Sequence, residues 1–439
     1  LAISMVLGGV LYTIGRSSQT NLTTRDGFVT VALGWIVASL VSSLPYLISG
    51  QLGPIDALFE AVSGITTTGS TILDDISLLT ESMLIWRSLT QWIGGMGIIL
   101  FTIAVLPLLG VGGMQLFRAE VPGPVTDKIS PRLATTARYL WGIYCGFTLL
   151  EFLLLLAGGM PPLDALNHSF TTLATGGFSP ADASIAAYDS HFVRIVIIVF
   201  MFLAGTNFVL HFKLVTGHFG EVLRDEEFRW YLFLMLVFVA LIAASLWLHA
   251  GFSWQSLEDV VFTVVALMTT TGYAVVDYGS TWPVGTQGMI VLLLVLGGMA
   301  GSTGGGVKTL RTLLAVRALK SSFLRISRPH AVKPVAYRDR PVPEHVMTAI
   351  WGFFAAYLGL AILGMVALNL LCDIDLTTAW SAALTAIGNV GPGLGAVGPA
   401  ETFAHLPWIA KLVLSFLMLC GRLEVYTVLL ILMPGFWRR

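Results

Sequence analysis

Residues 56–70 read DALFEAVSGITTTGS, and the same short pattern returns three more times along the chain. The other copies are DALNHSFTTLATGGF from Asp164, DVVFTVVALMTTTGY from Asp259 and TAWSAALTAIGNVGP from Thr378. Overlaid without a gap, the four put Gly69, Gly177, Gly272 and Gly391 in one column. A glycine can adopt φ > 0 and turn a carbonyl in a direction that a residue with Cβ reaches only with strain. Four such turns around one axis would set out rings of backbone carbonyls able to replace the water shell of a small cation. The expected product is a single polypeptide that builds a four-part pore.

Each copy lies between long apolar segments. Hydrophobic residues make up 56% of the chain and charged residues 11%, against the roughly 25% charged share of soluble domains. Runs of about 20 apolar residues, enough to cross a bilayer, fall near 28–49, 84–112, 139–159, 192–216, 230–250, 287–315, 346–371 and 407–434. Segments 54–72, 162–180, 255–275 and 376–394 are too short and too polar at one end to cross again. They read as half-helices that enter the membrane and return as extended strands, a geometry tolerated there only inside protein or beside a water-filled cavity. The fold class is therefore an all-α integral membrane protein with four pseudo-repeated helix–pore loop–helix units around a central pore. The units are 28–117, 118–218, 219–328 and 329–439, preceded by residues 1–27 as the remnant of a helix and a cytoplasmic loop. Cys145, Cys372 and Cys420 show no paired spacing, which excludes a disulfide framework or a zinc site.

Charge sets the orientation. Of the 24 Lys and Arg, all but Arg87, Arg194, Lys308, Lys411 and Arg422 fall on one side, which the positive-inside rule makes cytoplasmic. The side carrying the loops then faces outward and holds Asp74, Asp75, Glu81, Asp182, Asp189, Asp277 and Asp373. Such a bias concentrates cations at an outer mouth, although any single acid by itself reads more readily as loop solvation. The basic stretch 317–340, with Pro329 and Pro334, reads as a cytoplasmic linker suited to an acidic partner or anionic lipid.

The loop cores supply neutral oxygens. Thr66, Thr67 and Thr68, and again Thr269, Thr270 and Thr271, favour extended backbone and add hydroxyls without charge. Carboxylates there would favour divalent ions, and none stands in the four cores. Two further features lie inside spans. GGMAGSTGGG at 297–306, followed by Val307 and Lys308, breaks an apolar run, since each glycine costs a helix about 1 kcal/mol relative to alanine. It fails the phosphate-loop spacing because Val307 separates Gly306 from Lys308. A mobile segment below the loops is one reading, and close helix packing at small residues the other. Arg422, in CGRLEVYT, would cost at least ~2.5–3.5 kcal/mol mid-membrane unless paired or facing water. It opposes cation passage, holds carbonyls of the glycine-rich segment, or pairs with Glu424 or Glu151. Neither H-E-x-x-H nor G-x-S-x-G occurs, so no hydrolase is indicated. A secondary transporter of a larger solute would instead need broken helices around a midplane cavity.

QWIGGMGIIL from Gln91, TLATGGFS from Thr172, GGMAGSTGGGVKTLR from Gly297 and GRLEVYT from Gly421 together resemble the TrkH branch of the Trk/Ktr/HKT potassium transporter superfamily. The resemblance covers the chain from about residue 28 to its end. It implies K⁺ as the transported ion, no bound cofactor, no enzymatic activity, a homodimer in the bacterial inner membrane, and a cytosolic TrkA-like nucleotide-binding regulator. Carried over, the filter comprises Thr67, Thr68 and Gly69; Thr175, Gly176 and Gly177; Thr270, Thr271 and Gly272; and Asn389, Val390 and Gly391. Gly176 and Gly177 compete for one place, and the gap-free overlay selects Gly177. The gate comprises Gly301, Ser302, Thr303, Gly304, Gly305 and Gly306, within the loop 297–307, with Lys308 just after it, and Arg422. Transport is expected to be channel-like, with H⁺- or Na⁺-coupled symport as the alternative. TrkH-like proteins carry two further helices before the first unit, so the start of the chain is expected to be absent. The fourth core, AIGNVGPG, departs from the threonine pattern, which implies a less selective filter. Gly69, where sodium-favouring plant relatives carry serine, argues for potassium.

Overall fold

The computed structural model describes residues 24–104, 131–251, 253–328 and 334–437, with 8–10, 13 and 15. Most of the expected remnant 1–27, the second span past 104 and the boundary at 117–118 lie outside the described residues. What is described runs long helix, short helix, extended return and second helix, four times over.

The long first helices are Thr24–Ile48, Pro131–Ala157, Glu226–Ala250 and Glu344–Leu371. All four contain stretches long and apolar enough to cross a membrane, and at most a third of each stretch is buried. Leu33, Leu150, Phe233 and Leu363 are exposed, whereas the threonines of the loop cores are buried. This polarity is the reverse of a soluble domain's and suits an apolar solvent, in which helices satisfy their own backbone groups.

The short helices, Pro54–Ile65, Pro162–Leu173, Trp254–Met268 and Leu376–Gly388, are packed inside. Their starts are set by ordinary signals. Pro54 and Pro162 occupy the first turn, where a missing N–H costs nothing. Ser253 and Asp375 cap the other two through their side-chain oxygens.

The second helices depart most from expectation. Glu81–Ala104 is unbroken. The span expected over 192–216 instead bends by 105° between His191–Ala204 and Phe208–Val215, where Gly205 ends the first helix and Asn207 caps the next by accepting from the Val209 N–H at 2.8 Å. The span over 407–434 bends by 115° between Trp408–Arg422 and Tyr426–Leu432, where Glu424 and Val425 take φ of 62° and 52°. The span over 287–315 is interrupted as its glycines require, leaving Val284–Val295 and Thr309–Ser327. Among the described residues, four helices can cross a membrane singly, and the two bent pairs bring the number to six.

Where it is described, the basic stretch 317–340 is more ordered than a linker. It continues the helix Thr309–Ser327 and then forms a two-stranded antiparallel hairpin, with Ala336 opposite Pro341 and Tyr337 opposite Arg340. Arg317 bonds Glu226 at 2.5 Å, and Arg338 pairs with Asp225, fastening this region to the start of the third unit.

Candidate cation-coordinating site

All four short helices end alike. The N–H groups of Thr68, Gly176, Thr271 and Val390 bond back to the carbonyls of Ser63, Thr171, Ala266 and Thr385 at 2.8–3.0 Å. The residue before each, Thr67, Thr175, Thr270 or Asn389, takes φ between 52° and 60°. This is a left-handed helix cap, in which glycine is usual and asparagine tolerated. Threonine there is a true outlier, since a β-branched side chain crowds the backbone at positive φ. Three threonines in one register mark a backbone shape fixed by its surroundings.

Two residues on, Gly69, Gly177, Gly272 and Gly391 take φ of 85°, 78°, 76° and 109°. Their neighbours close a circle. A Cβ added to Gly69 would lie 2.2 Å from the Gly176 carbonyl oxygen, one on Gly177 2.0 Å from that of Thr271, one on Gly272 1.9 Å from that of Val390, and one on Gly391 2.8 Å from that of Thr68. Each unit's glycine thus seats the carbonyl of the next unit, and the fourth returns to the first. Gly177, and not Gly176, shares the positive φ; Gly176 stands in register with Thr68, Thr271 and Val390.

Among the described residues, no protein donor hydrogen-bonds the carbonyls of Thr67, Gly69, Thr175, Gly177, Thr270, Gly272 or Asn389. Thr67, Thr175, Thr270 and Asn389 are buried, and a buried carbonyl without a donor is rare. The negative ends of four helix dipoles also meet there, which favours a cation. A cavity of about 120 Å³ is lined by all four glycines and, farther out, by Asp74, Asp182 and Glu401. On that side Arg87, Arg194 and Lys411 are each tied to a carboxylate, of Glu60 at 2.8 Å, Asp259 at 3.5 Å and Asp56 at 2.6 Å. None of these three bases therefore pairs with Asp74, Asp182 or Glu401. Among the described residues no group of three His, Cys, Asp or Glu is placed to hold a metal ion.

Arg87 and Glu60 do more than cancel charge. Both are buried, Thr71 Oγ1 donates to Glu60, and Arg87 donates to the Ser179 carbonyl at 3.1 Å while lying 4.0 Å from the Phe178 ring centre. The pair fastens the first return strand to the second.

The glycine-rich segment lies against the ring. Its neck is closed by bonds from Gly297 N–H to the Val307 carbonyl at 3.0 Å and from Val307 N–H to the Val295 carbonyl at 2.9 Å. Gly305 N–H donates to Thr270 Oγ1 at 2.7 Å. Added Cβ atoms would lie 2.9 Å from the Thr269 carbonyl at Gly304 and 2.4 Å from the Gly388 carbonyl at Gly305, so these glycines permit backbone-to-backbone approach. Gly301 and Gly306 take positive φ, Ser302 bonds within the segment, and Lys308 donates to the Gly304 carbonyl.

Of the alternatives for Arg422, the contacts select the carbonyls. Its guanidinium donates to Thr303 at 2.6 Å and to Gly94 at 3.0 Å and lies 5.7 Å from the Trp35 ring centre. Glu424 pairs instead with Arg311. Sequence reasoning missed Gly94, Asn207 and Glu227, whose carboxylate accepts from Ala300 N–H at 2.7 Å within the segment and Leu310 N–H at 3.1 Å just after it. Glu227 carried no signal, because an acid near the start of a membrane helix is an ordinary cap-region residue.

Four pseudo-repeated units closing a ring of carbonyls inside an apolar helical shell define an integral membrane protein of the ion-conducting kind. The chain belongs to the TrkH family of cation transport proteins, whose family model matches residues 1–436. It is a transporter and not an enzyme. It is 40% identical over 451 residues to the Trk system potassium uptake protein TrkH of Halomonas elongata, covering 100% of this chain and 91% of that protein. It is equally 40% identical over 442 residues to TrkH of Escherichia coli K12, covering 99% and 91%. The crystal structure of the potassium transporter TrkH from Vibrio parahaemolyticus superposes with a TM-score of 0.91 at 35% identity, covering 99% of this chain and 91% of that one.

Proposed function

We propose that the protein takes K⁺ into the cell through a filter made of Thr67–Gly69, Thr175–Gly177, Thr270–Gly272 and Asn389–Gly391, in the four units 28–117, 118–218, 219–328 and 329–439. The observation that carries this reading is the closed circle in which each glycine seats the next unit's carbonyl. Neutral carbonyls hold a monovalent ion loosely enough to release it, and the absence of any carboxylate in the four cores favours channel-like passage over H⁺ or Na⁺ coupling. The relatives named as potassium uptake proteins support K⁺ as the ion.

The segment 297–307 forms the gate, with Gly301, Ser302, Thr303, Gly304, Gly305, Gly306 and Lys308 below the ring and Arg422 latching it through Thr303. The support is that one guanidinium joins this segment to the Gly94 carbonyl of the first unit. A cytosolic TrkA-like nucleotide-binding regulator and homodimeric assembly both rest on the family resemblance. The acidic cavity is the outer mouth, in a bacterial inner membrane whose lipid meets the exposed apolar helices.

The test is Rb⁺ uptake into proteoliposomes, with Na⁺ as competitor. Uptake that resists Na⁺ in the natural chain and yields to it in Gly69→Ser supports the filter. Selectivity unchanged by Gly69→Ser would remove it.

A further inference from the structure

The four loops share a backbone but not the side chains that brace it. In the first and third units the residues three and one before the glycine are threonines, and their hydroxyls join directly, Thr66 to Thr68 at 2.7 Å and Thr269 to Thr271 at 2.8 Å. Thr66 and Thr269 also donate to the carbonyls of Val62 and Val265 one helical turn back, at 2.6 and 2.7 Å. The brace is internal and ties the strand to its own helix.

The corresponding positions in the second unit are Ala174 and Gly176, and in the fourth Gly388 and Val390, none with a side-chain oxygen. Both loops are held from elsewhere. In the fourth unit Asn389 donates through Nδ2 to the Met418 carbonyl at 2.9 Å and to Thr68 Oγ1 at 3.0 Å, so it leans on the second helix behind it and on the first unit's brace. In the second unit the strut comes from another unit altogether. Gln91, fully buried on the helix Glu81–Ala104, donates through Nε2 to the Gly176 carbonyl at 2.7 Å, and its Oε1 accepts from Phe178 N–H at 3.2 Å. Both ends of the amide are used, one as donor and one as acceptor, which fixes its orientation. The amide also occupies the space a side chain at residue 176 would need, because a Cβ there would lie 2.3 Å from Gln91.

We infer that Gln91 is a positioning residue for ion selectivity, an external strut that does for the second filter strand what the threonine pairs do for the first and third. The inference rests on the filter reading above and names how one of its four strands is held. Gln91 touches no ion. Its amide holds residues 176–178 at both ends, and thereby the Gly177 carbonyl between them.

The test uses the full chain reconstituted in liposomes, with K⁺ over Na⁺ selectivity of Rb⁺ flux as the readout. A ratio does not depend on how much protein is active. Gln91→Glu is isosteric and keeps the acceptor for Phe178 but sets a second oxygen against the Gly176 carbonyl; Gln91→Leu removes both bonds. Gln91→Glu should lower selectivity about fivefold, the effect of a single net hydrogen bond, and Gln91→Leu by more, and Thr66→Val should lower it about fivefold too by removing the first unit's internal brace. Unchanged selectivity in both Gln91 variants, with selectivity lost in Gly69→Ser, would overturn the strut and leave the filter standing. Unchanged selectivity in all of them would overturn both.

Discussion

Gly69 and Gly159 form a matched pair for testing the ring. Both take nearly the same positive φ, 85° and 83°. Around Gly159 nothing lies within 4 Å of an added Cβ, whereas at Gly69 the Gly176 carbonyl oxygen would stand 2.2 Å away. Alanine at either site carries the strain of a positive φ, about 1–2 kcal/mol. Only at Gly69 must the ring also open, by about 1.2 Å before an ordinary contact near 3.4 Å is restored, which adds the ~1–3 kcal/mol of an overpacked core and moves the carbonyl of Gly176. Growth at low K⁺ of cells lacking their own uptake systems, followed by Rb⁺ flux from purified protein, separates the two variants. Gly159→Ala should keep near-natural uptake and selectivity with slightly lower thermal stability. Gly69→Ala should lose selective uptake. Equal behaviour of the two would refute the claim that the glycine column is required by ring closure.

Arg422→Ala frees the Thr303 and Gly94 carbonyls and should raise basal Rb⁺ flux, as should shortening 297–307; unchanged flux in both would remove the gate. Glu60→Gln leaves Arg87 buried without its counter-charge and should destabilise the protein by about 3–5 kcal/mol, read as a large drop in melting temperature in detergent. The Asp375 carboxyl is held below the ordinary carboxylate range by the Thr378 hydroxyl and the N–H groups of Thr378 and Thr377. A lowered folded value means its stabilisation is complete above the unfolded carboxylate pKa and is lost as pH falls through the lowered one. Asp375→Ala should therefore melt lower than the natural chain at neutral pH, and the gap should close in acid; a gap independent of pH would contradict this capping role.

The four loops were legible because their register carries no gap and their glycines answer a local backbone demand. The left-handed caps were half legible: Asn389 announces such a cap, but Thr67, Thr175 and Thr270 argue against one, and only packing by neighbouring units overrides that preference. The bend at 205–207 was foreshadowed by Gly205 and Asn207, yet both sit in an apolar run that reads as continuous. The bend at 423–425 has no local signal, since neither Glu424 nor Val425 favours positive φ. Gln91 stood inside a quoted motif without a role, because its partners are 85 and 87 residues away in sequence. For Arg422 the glycine-rich segment was legible as one of several partners, but the Gly94 carbonyl was not, since it lies 328 residues away in sequence.

The most direct measurement is anomalous diffraction from crystals of this protein grown in Rb⁺. The account predicts density on the axis enclosed by Gly69, Gly177, Gly272 and Gly391, within coordination distance of the backbone carbonyls of residues 67–69 and their counterparts. Rb⁺ bound only at Asp74, Asp182 and Glu401 in the mouth, with none on the axis, would contradict it.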